Sequence, residues 1–536
     1  PTTADAAPSS SGDAMMGDKG PKTTRVVLGL IPARALGNSH RHLGSTSAFQ
    51  LKPMYEYLMD THPETRALIP GLAKSWEVEP NGAGLRFFLE EGVPFHDVDG
   101  NEAGVMTADD VAWTREDIVA EESTNSIRGL MRGAEVEIVN DHEIVFRWPK
   151  PDADALDFIG NQVGGMEINS RADADTLDVG ILKDRPINGT GPYTFVSREQ
   201  EQNIIYKKLP SPHWRLDADF EEIEVRWIPE ASTRLAALLA REVHITNVAF
   251  EQEPRVLSAG MKIITGKVNT MRTFFQMQGV YLNDPSDAGA GYKFPDTPLL
   301  SKDVRGALNR AIDRDALNDA FFFGLGQKMH AIHVAETHGA FNQRWKDEFD
   351  DRYGYNPAAA RNMLRAAGYD SNNPAETNLF VLGVTQYSGG EDVIESVAQM
   401  WSDVGVKVNL LTWDNAQRSA RSRALELNNH ITLSVLIAPP ILALRLGHHT
   451  SPPRGGGVED FVVEEVFEKA RRSLDLDVQN RFIQAATNRI YDEYMSIPLF
   501  WVPVHAVVDP EVVDDWIFPG TVSGTWTHFW NIRGTR

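Results

Sequence analysis

Histidines recur at short spacings along this chain: His40-x-His42, His330-x-x-His333 and the adjacent His448-His449. Neutral imidazole is a good transition-metal ligand, so each pair could contribute to a metal site. The plainer alternative is that polar loops carry them for ordinary hydrogen bonding, and no metal or other cofactor is expected. Aromatic side chains offer a second chemistry: Phe274-Phe275, Tyr387, Trp413, Trp501, Trp526, Phe529 and Trp530. Most such rings fill cores. Those left over can line a cleft, where flat apolar faces and a few polar groups bind and orient a solute. The sequence signatures of catalysis are missing. There is no G-x-x-x-x-G-K-[ST] phosphate loop, G-x-G-x-x-G fingerprint, G-x-S-x-G elbow or H-E-x-x-H zinc motif. Without cysteine there is no disulfide, thiolate metal site or cysteine nucleophile. With 75 carboxylates some pair falls close in any fold, so paired acids alone nominate no glycosidase.

The elements that must position these side chains are mixed. At 536 residues and roughly 150 per domain, three to four compact units are expected. The formal charge of −23 leaves nothing to offset phosphate repulsion, which argues against a nucleic-acid partner. No run reaches the roughly 20 apolar residues of a membrane span. The nearest, Val435 to Leu444, contains Pro439 and Pro440. The polar run at 1–24 reads as a disordered tether, and order is expected near Arg25, where Val26 to Leu30 form a buried strand. Leu85–Glu90, Glu143–Trp148, Asn203–Leu209 and Glu222–Ile228 alternate like half-buried strands. Thr107 with Asp110 opens a helix in the manner of a capping box. Val304, Ala307, Leu308, Ala311 and Ile312 mark one face of a helix ending before Gly324. Asn356-Pro357 starts a helix that Gly368 stops, and Val393 to Val404 repeat the pattern up to Gly405. Two long amphipathic helices are expected near Val458–Leu474 and Val478–Met495.

Read in order, the segments resemble the family 5 extracytoplasmic solute-binding proteins, which serve ABC importers of oligopeptides, dipeptides and nickel. Met54-Tyr55-Glu56-Tyr57-Leu58 resembles that family's early "YEPL" helix. Leu85 to Asp97 is close to "FxLREGVKFHDG", and Thr107-Ala108-Asp109-Asp110-Val111 to "TADDV". Gly189-Thr190-Gly191-Pro192-Tyr193 matches "GTGPY". Val304 to Arg314 is similar to "VRxALxxAIDR", and Tyr355 to Tyr369 to "YDPxxAxxLLxEAGY". Each motif is weak alone; their order is specific.

The resemblance implies an α/β, two-lobed periplasmic-binding-protein-like fold of type II, in the large cluster with an extra subdomain in lobe 1. Residues 1–24 would be the tether; 25–51, 186–268 and 503–536 the core of lobe 1; 52–185 the subdomain; and 269–502 lobe 2. The implied function is capture of a peptide-like solute between the lobes and delivery to an ABC permease, by a monomer with no catalytic residues. Its place would be the periplasm or the outer face of the cytoplasmic membrane. The polar leader is like the run that follows a lipid-modified cysteine, an ordinary loose terminus being the alternative. Two further readings stay open: an oligosaccharide-binding protein of the same fold, and a cleft-bearing hydrolase.

Departures from the family pattern bear on the solute. Leu433 to Ile441, where dipeptide-type members place an aspartate for the ligand's amino group, contains no acid. Burying an α-ammonium there without a counter-charge would cost several kcal/mol. Near the family's arginine and tyrosine for the other end stand Thr385, Gln386 and Tyr387, so the tyrosine is kept and the arginine is not. The expected ligand-binding residues are Thr385, Gln386, Tyr387 and Trp413 from lobe 2. Phe274 and Gln276 near a crossing, Trp526 near the C-terminus, and His40, Arg41 and His42 of the first-lobe loop complete the set. Alanine at both Tyr387 and Trp413 is expected to abolish solute binding, read by calorimetric titration, while circular dichroism stays native. Unchanged affinity would place the site elsewhere.

Overall fold

The computed structural model describes residues 20–32, 48–80, 82–123, 125, 127–160, 165–177, 185–199, 201–268, 271–381, 390–413, 415–436, 440–450, 457–518 and 526–536. Two large sheets organise them. The first runs, in spatial order, Tyr193–Glu199, Asn203–Lys208, Glu222–Trp227, Arg25–Leu30, Ile245–Thr246, His505–Val508 and Lys262–Thr265. Within it Arg25–Leu30 is parallel to both Glu222–Trp227 and Ile245–Thr246. The second runs Gln327–Lys328, Ile497–Val502, Met271–Gln278, His430–Leu436, Glu376–Phe380 and Lys407–Leu411. A four-stranded antiparallel sheet, Ala73–Val78, Gly84–Leu89, Glu143–Arg147 and Glu135–Asn140, lies beside the helix Ala108–Val119. Each sheet has its own apolar core, which is the expected behaviour of separate layered bodies. This is a two-lobed α/β fold. Among the described residues no helix is long and apolar enough to cross a membrane.

Local chemistry sets many boundaries. Thr107 and Asp110 form a reciprocal capping box, and the Asn356 side chain accepts the Ala359 amide hydrogen at 2.9 Å. Gly368 and Gly405 end their helices with positive φ, 89° and 99°, where a Cβ would be strained. Of the two long helices, the first starts later than its hydrophobic stripe suggests, Phe461–Arg471, because Asp460 caps it; the second, Leu476–Asp492, starts two residues earlier than expected, where Asp475 caps it, and ends three residues earlier.

Two expectations are corrected. The face from Val304 to Ile312 does not belong to one helix. Lys302–Arg310 stops, and Asp313 caps a separate helix, Arg314–Phe321, by accepting the Ala316 amide hydrogen at 3.0 Å. Met54 to Leu58 is not helical either. Its carbonyls are used across the chain: Pro53 accepts from the Tyr193 amide at 3.1 Å and Met54 from the Gly191 amide at 2.9 Å. A Cβ on Gly189 would stand 2.3 Å from the Met54 oxygen, so the "GTGPY" glycines serve this close backbone approach.

Just beyond, a buried ionic cluster ties the segment entering the four-stranded region to the first sheet. Arg215 donates through Nε to Glu56 Oε1 at 2.6 Å and through Nη2 to Asp60 Oδ2 at 2.9 Å. Trp214 Nε1 donates to Glu56 Oε2 at 2.9 Å, and the Arg215 guanidinium stacks on the Trp214 ring. Burial opposes the Glu56 charge, but Arg215, His213 and Trp214 outweigh it and hold the carboxyl below its ordinary pKa. Arg215→Met should therefore cost about 3–5 kcal/mol at pH 7 in guanidinium unfolding, because Glu56 loses its partner while still buried. Glu56 titrates lower folded than unfolded, so its contribution is present above the ordinary carboxylate range. It is lost as pH falls through the folded value, and the gap between variant and wild type should narrow there.

Candidate interlobe binding site

The topology brings one edge of each large sheet together. The chain leaves the first sheet at Thr265 and enters the second at Met271; it returns from Val502 to His505. Because Thr246 pairs with Val507 beside it, the Thr265 and His505 end of the first sheet is also the carboxyl end of Ile245–Thr246 and of its parallel neighbour Arg25–Leu30. In the second sheet Arg272 pairs with Leu436 and with Trp501, so the crossing end is the carboxyl end of His430–Leu436. Glu376–Phe380 and Lys407–Leu411 run parallel to that strand and point the same way. Carboxyl ends of parallel strands thus face the crossings from both sides, the position at which open α/β sheets bind ligands.

Alternation along Met271–Gln278 assigns its side chains to two faces. Phe275 packs with Trp401 inside the lobe. Arg272, Phe274, Gln276 and Gln278 lie on the other face, opposite Leu436, Ser434, Thr432 and His430. The buried Arg272 guanidinium lies over the Trp501 ring, 5.5 Å from its centroid, and donates from Nη1 to the His333 carbonyl at 3.3 Å. Burial pushes Arg272 down to about 9, and Arg66 adds to the effect. Arg66 belongs to the turn between the paired strands Met59–Thr61 and Leu68–Pro70, so a cation from the four-stranded region acts on lobe 2 across the seam.

Imidazoles gather around Arg272. Phe274 meets the His333 ring edge-on at 5.3 Å, and His448 lies 6.0 Å from it. Both His333 ring nitrogens are sealed from water without a hydrogen-bond partner. Burial, with Arg272 and then His448 next, holds His333 far below its ordinary pKa. His338 is pushed down to about 4 by burial, Arg272 and Arg66, and His448 to about 4 by burial. The seam therefore carries guanidinium charge among neutral rings, an arrangement that can bind and orient a solute. Among the described residues no three or more His, Asp or Glu side chains are placed to hold a metal ion.

A family model, that of the bacterial extracellular solute-binding proteins, family 5 middle, matches residues 67–434. The chain belongs to this family. It is 26% identical over 426 residues to the heme-binding protein A of Haemophilus influenzae, covering 76% of this chain and 72% of that one. It is 23% identical over 397 residues to the dipeptide-binding protein of Escherichia coli, covering 71% and 70%. Among solved structures, HbpA2 from Haemophilus parasuis superposes with a TM-score of 0.76 at 19% identity, over 96% of this chain and 100% of that one. DppA from Helicobacter pylori, in complex with the peptide STSA, superposes at 0.72 with 20% identity, over 96% and 99%. These likenesses show the solute-binding family fold.

Of the residues expected from sequence to touch a solute in this family member, Thr385, Gln386, Tyr387, His40, Arg41 and His42 lie outside the described residues. Phe274 and half-buried Gln276 share the face that carries Arg272. Trp413 is set apart from Phe274: it packs on Phe380 and His430 and lines a groove of about 430 Å³ with Gln417, Ala420, Arg421 and Glu426. Trp526 stacks on Trp516 at 6.1 Å, against the core of the first lobe. The histidine spacings dissolve into separate roles: His330 faces Glu336 at 2.9 Å, and His449 lies 2.9 Å from Glu468. Sequence reasoning missed Arg272 and Arg66. The two-residue period carrying Phe274 also carries Arg272; nothing local pointed to Arg66.

The lowered histidines generate a pH dependence. A histidine that titrates near 4 folded and near 6.5 unfolded favours the folded state above pH 6.5, and that preference is lost as pH falls toward 4. His448→Gln should flatten the fall in unfolding free energy between pH 7 and pH 4 by an amount on the order of 3 kcal/mol. An unchanged slope would mean that His448 takes up its proton without cost in the folded protein.

Proposed function

We propose that the protein is the solute-binding component of an ABC importer, working outside the cytoplasmic membrane. It takes a peptide-like solute between its lobes and hands it to a permease. The lobes would be residues 25–51, 186–268 and 503–536, carrying 52–185 as a subdomain, and residues 269–502. The observation that carries this reading is the convergence of strand carboxyl ends on the paired crossings, in a chain of the solute-binding family.

The mechanism is a population shift. A solute that touches both lobes only when they are closed stabilises closure by its differential affinity. Moving the balance from 1:99 to 99:1 needs a preference of about ten-thousand-fold, or ~5.5 kcal/mol. A peptide-like solute suits the polar lobe-2 face, where Gln276 and Ser434 are half-buried and the Thr432 hydroxyl donates to Gln278. Amides and hydroxyls of this kind match peptide N–H and C=O groups. The relatives from Escherichia coli and Helicobacter pylori, named for dipeptides and solved with a peptide, support the same class. The acid-free run from Leu433 to Ile441 favours a solute whose amino end is blocked, modified or left in water.

A melting-temperature screen across peptides, oligosaccharides and metal chelates tests the reading. A solute at about one hundred times its dissociation constant adds ~2.7 kcal/mol to stability, a rise of about 2–3 °C for a chain of this length. Peptides should give the rise. A rise with oligosaccharides alone would move the solute class to sugars. No rise with any solute, together with one from a soluble protein partner, would overturn the importer reading.

A further inference from the structure

The strand His505–Val508 opens on the residue that follows the returning crossing. The His505 imidazole is buried, and the chain after Ile245–Thr246 wraps around it. Phe250 meets the ring edge-on at 5.0 Å. Nε2 lies 3.1 Å from the Val248 carbonyl oxygen, and Nδ1 lies 3.3 Å from Glu253 Oε1, at the start of the helix Glu253–Ser258.

These contacts fix where protons can sit. A carbonyl oxygen only accepts, so Nε2 carries its hydrogen and donates it to Val248. A neutral imidazole has one N–H, which leaves Nδ1 a bare acceptor. Facing it is Glu253 Oε1, sealed from water and receiving no hydrogen bond from any described residue. If that carboxyl were ionised, two lone pairs would confront each other in a dry place and neither would be satisfied. One proton between them satisfies both. A Glu253 O–H that donates to Nδ1 completes a relay of two hydrogen bonds, from the helix through the ring to Val248, with no net charge buried. Burial acts in the directions this arrangement needs, raising the Glu253 pKa and lowering that of His505. Other charged groups on the surrounding elements stand apart. Glu251, Arg255, Lys262 and Lys267, on the neighbouring turn, helix, strand and crossing, are exposed. Asp509, at the far end of the His505 strand, pairs with Arg241, and His244 accepts the Val27 amide hydrogen at the other end of Ile245–Thr246.

We propose that Glu253 holds a buried proton, donated to His505 Nδ1, and that its loss as pH rises loosens the joint between the lobes. His505 pairs with Thr265, and the next bond of that ladder, from the Gly266 amide to the Val504 carbonyl, joins the two crossings. The ring therefore anchors the residue on which the paired crossings are built. Glu253 titrates higher folded than unfolded. The stabilisation is complete below the ordinary carboxylate range and is lost as pH rises through the raised value. The inference concerns the joint and holds whatever the solute.

The test is amide hydrogen exchange of the full chain, read by mass spectrometry with fragmentation that resolves Gly266 and corrected for the intrinsic pH dependence of exchange. Protection of the Gly266 amide should fall on the order of three- to tenfold between about pH 4 and pH 8, the worth of one buried hydrogen bond. Glu253→Gln gives Nδ1 a permanent N–H donor and should hold protection at its low-pH level throughout. His505→Phe keeps a ring without Nδ1 and should show low protection with no pH dependence. Nitrogen shifts of ring-labelled histidine should report His505 neutral over the whole range, with its hydrogen on Nε2. An imidazolium at His505, or a hydrogen on Nδ1, would overturn the proposal. So would constant protection in the wild type, or a fall equally large in Glu253→Gln. If His505→Phe fails to fold, the wild type and Glu253→Gln decide the matter.

Discussion

Gly266 donates its amide hydrogen to the Val504 carbonyl at 2.9 Å. This bond extends the antiparallel ladder in which Thr265 pairs with His505, so the two chain crossings between the lobes are themselves paired. The approach is tight: a Cβ on Gly266 would meet the Phe518 ring at 3.2 Å and the Val504 oxygen at 3.4 Å. Val504 packs against the cores of both lobes. His505 is held on the first-lobe side, at 3.1 Å from the Val248 carbonyl and 3.3 Å from Glu253. Two separate tethers would let the lobes drift independently; two hydrogen-bonded ones make any rotation between them a single motion. The crevice, its polarity and any closure on a solute all depend on that pairing.

Charge is distributed according to what each region must do. At the root of the four-stranded region, buried Glu56 and Asp60 both accept hydrogen bonds from half-buried Arg215, which fixes that region to the first lobe. At the seam the logic is reversed. Arg272, His333, His338 and His448 are withdrawn from water with their protonated forms disfavoured, and none of the causes acting on Arg272 or His333 is a carboxylate. Perturbed groups of that kind make the seam the candidate functional site.

Local sequence was legible wherever local chemistry decides. Thr107 with Asp110, Asn356 with Pro357, and the positive-φ glycines at 368 and 405 set helix ends through contacts within a few residues. Alternation revealed the strands at Gly84–Leu89 and Glu143–Arg147 because one face of each is buried. Reading failed where distant chain competes for the backbone. Met54 cannot be helical while Gly191 uses its carbonyl, and Asp313 divides an apolar face that continues across two helices. The site was harder still. Phe274 was visible as an aromatic, but the importance of Arg272 follows from register with Leu436 and Trp501, which only the folded sheet supplies.

A formal charge of −23 would by itself repel an anionic solute. That repulsion acts mainly at long range, and at physiological ionic strength it is screened beyond about 8 Å. Inside a crevice the balance belongs to the nearest groups, where the dielectric is lower and each interaction larger. Arg272 and Arg66 act on each other across the seam. The charge of −23 is therefore a property of the surface as a whole, while the potential at the seam is set by the arginines nearest to it.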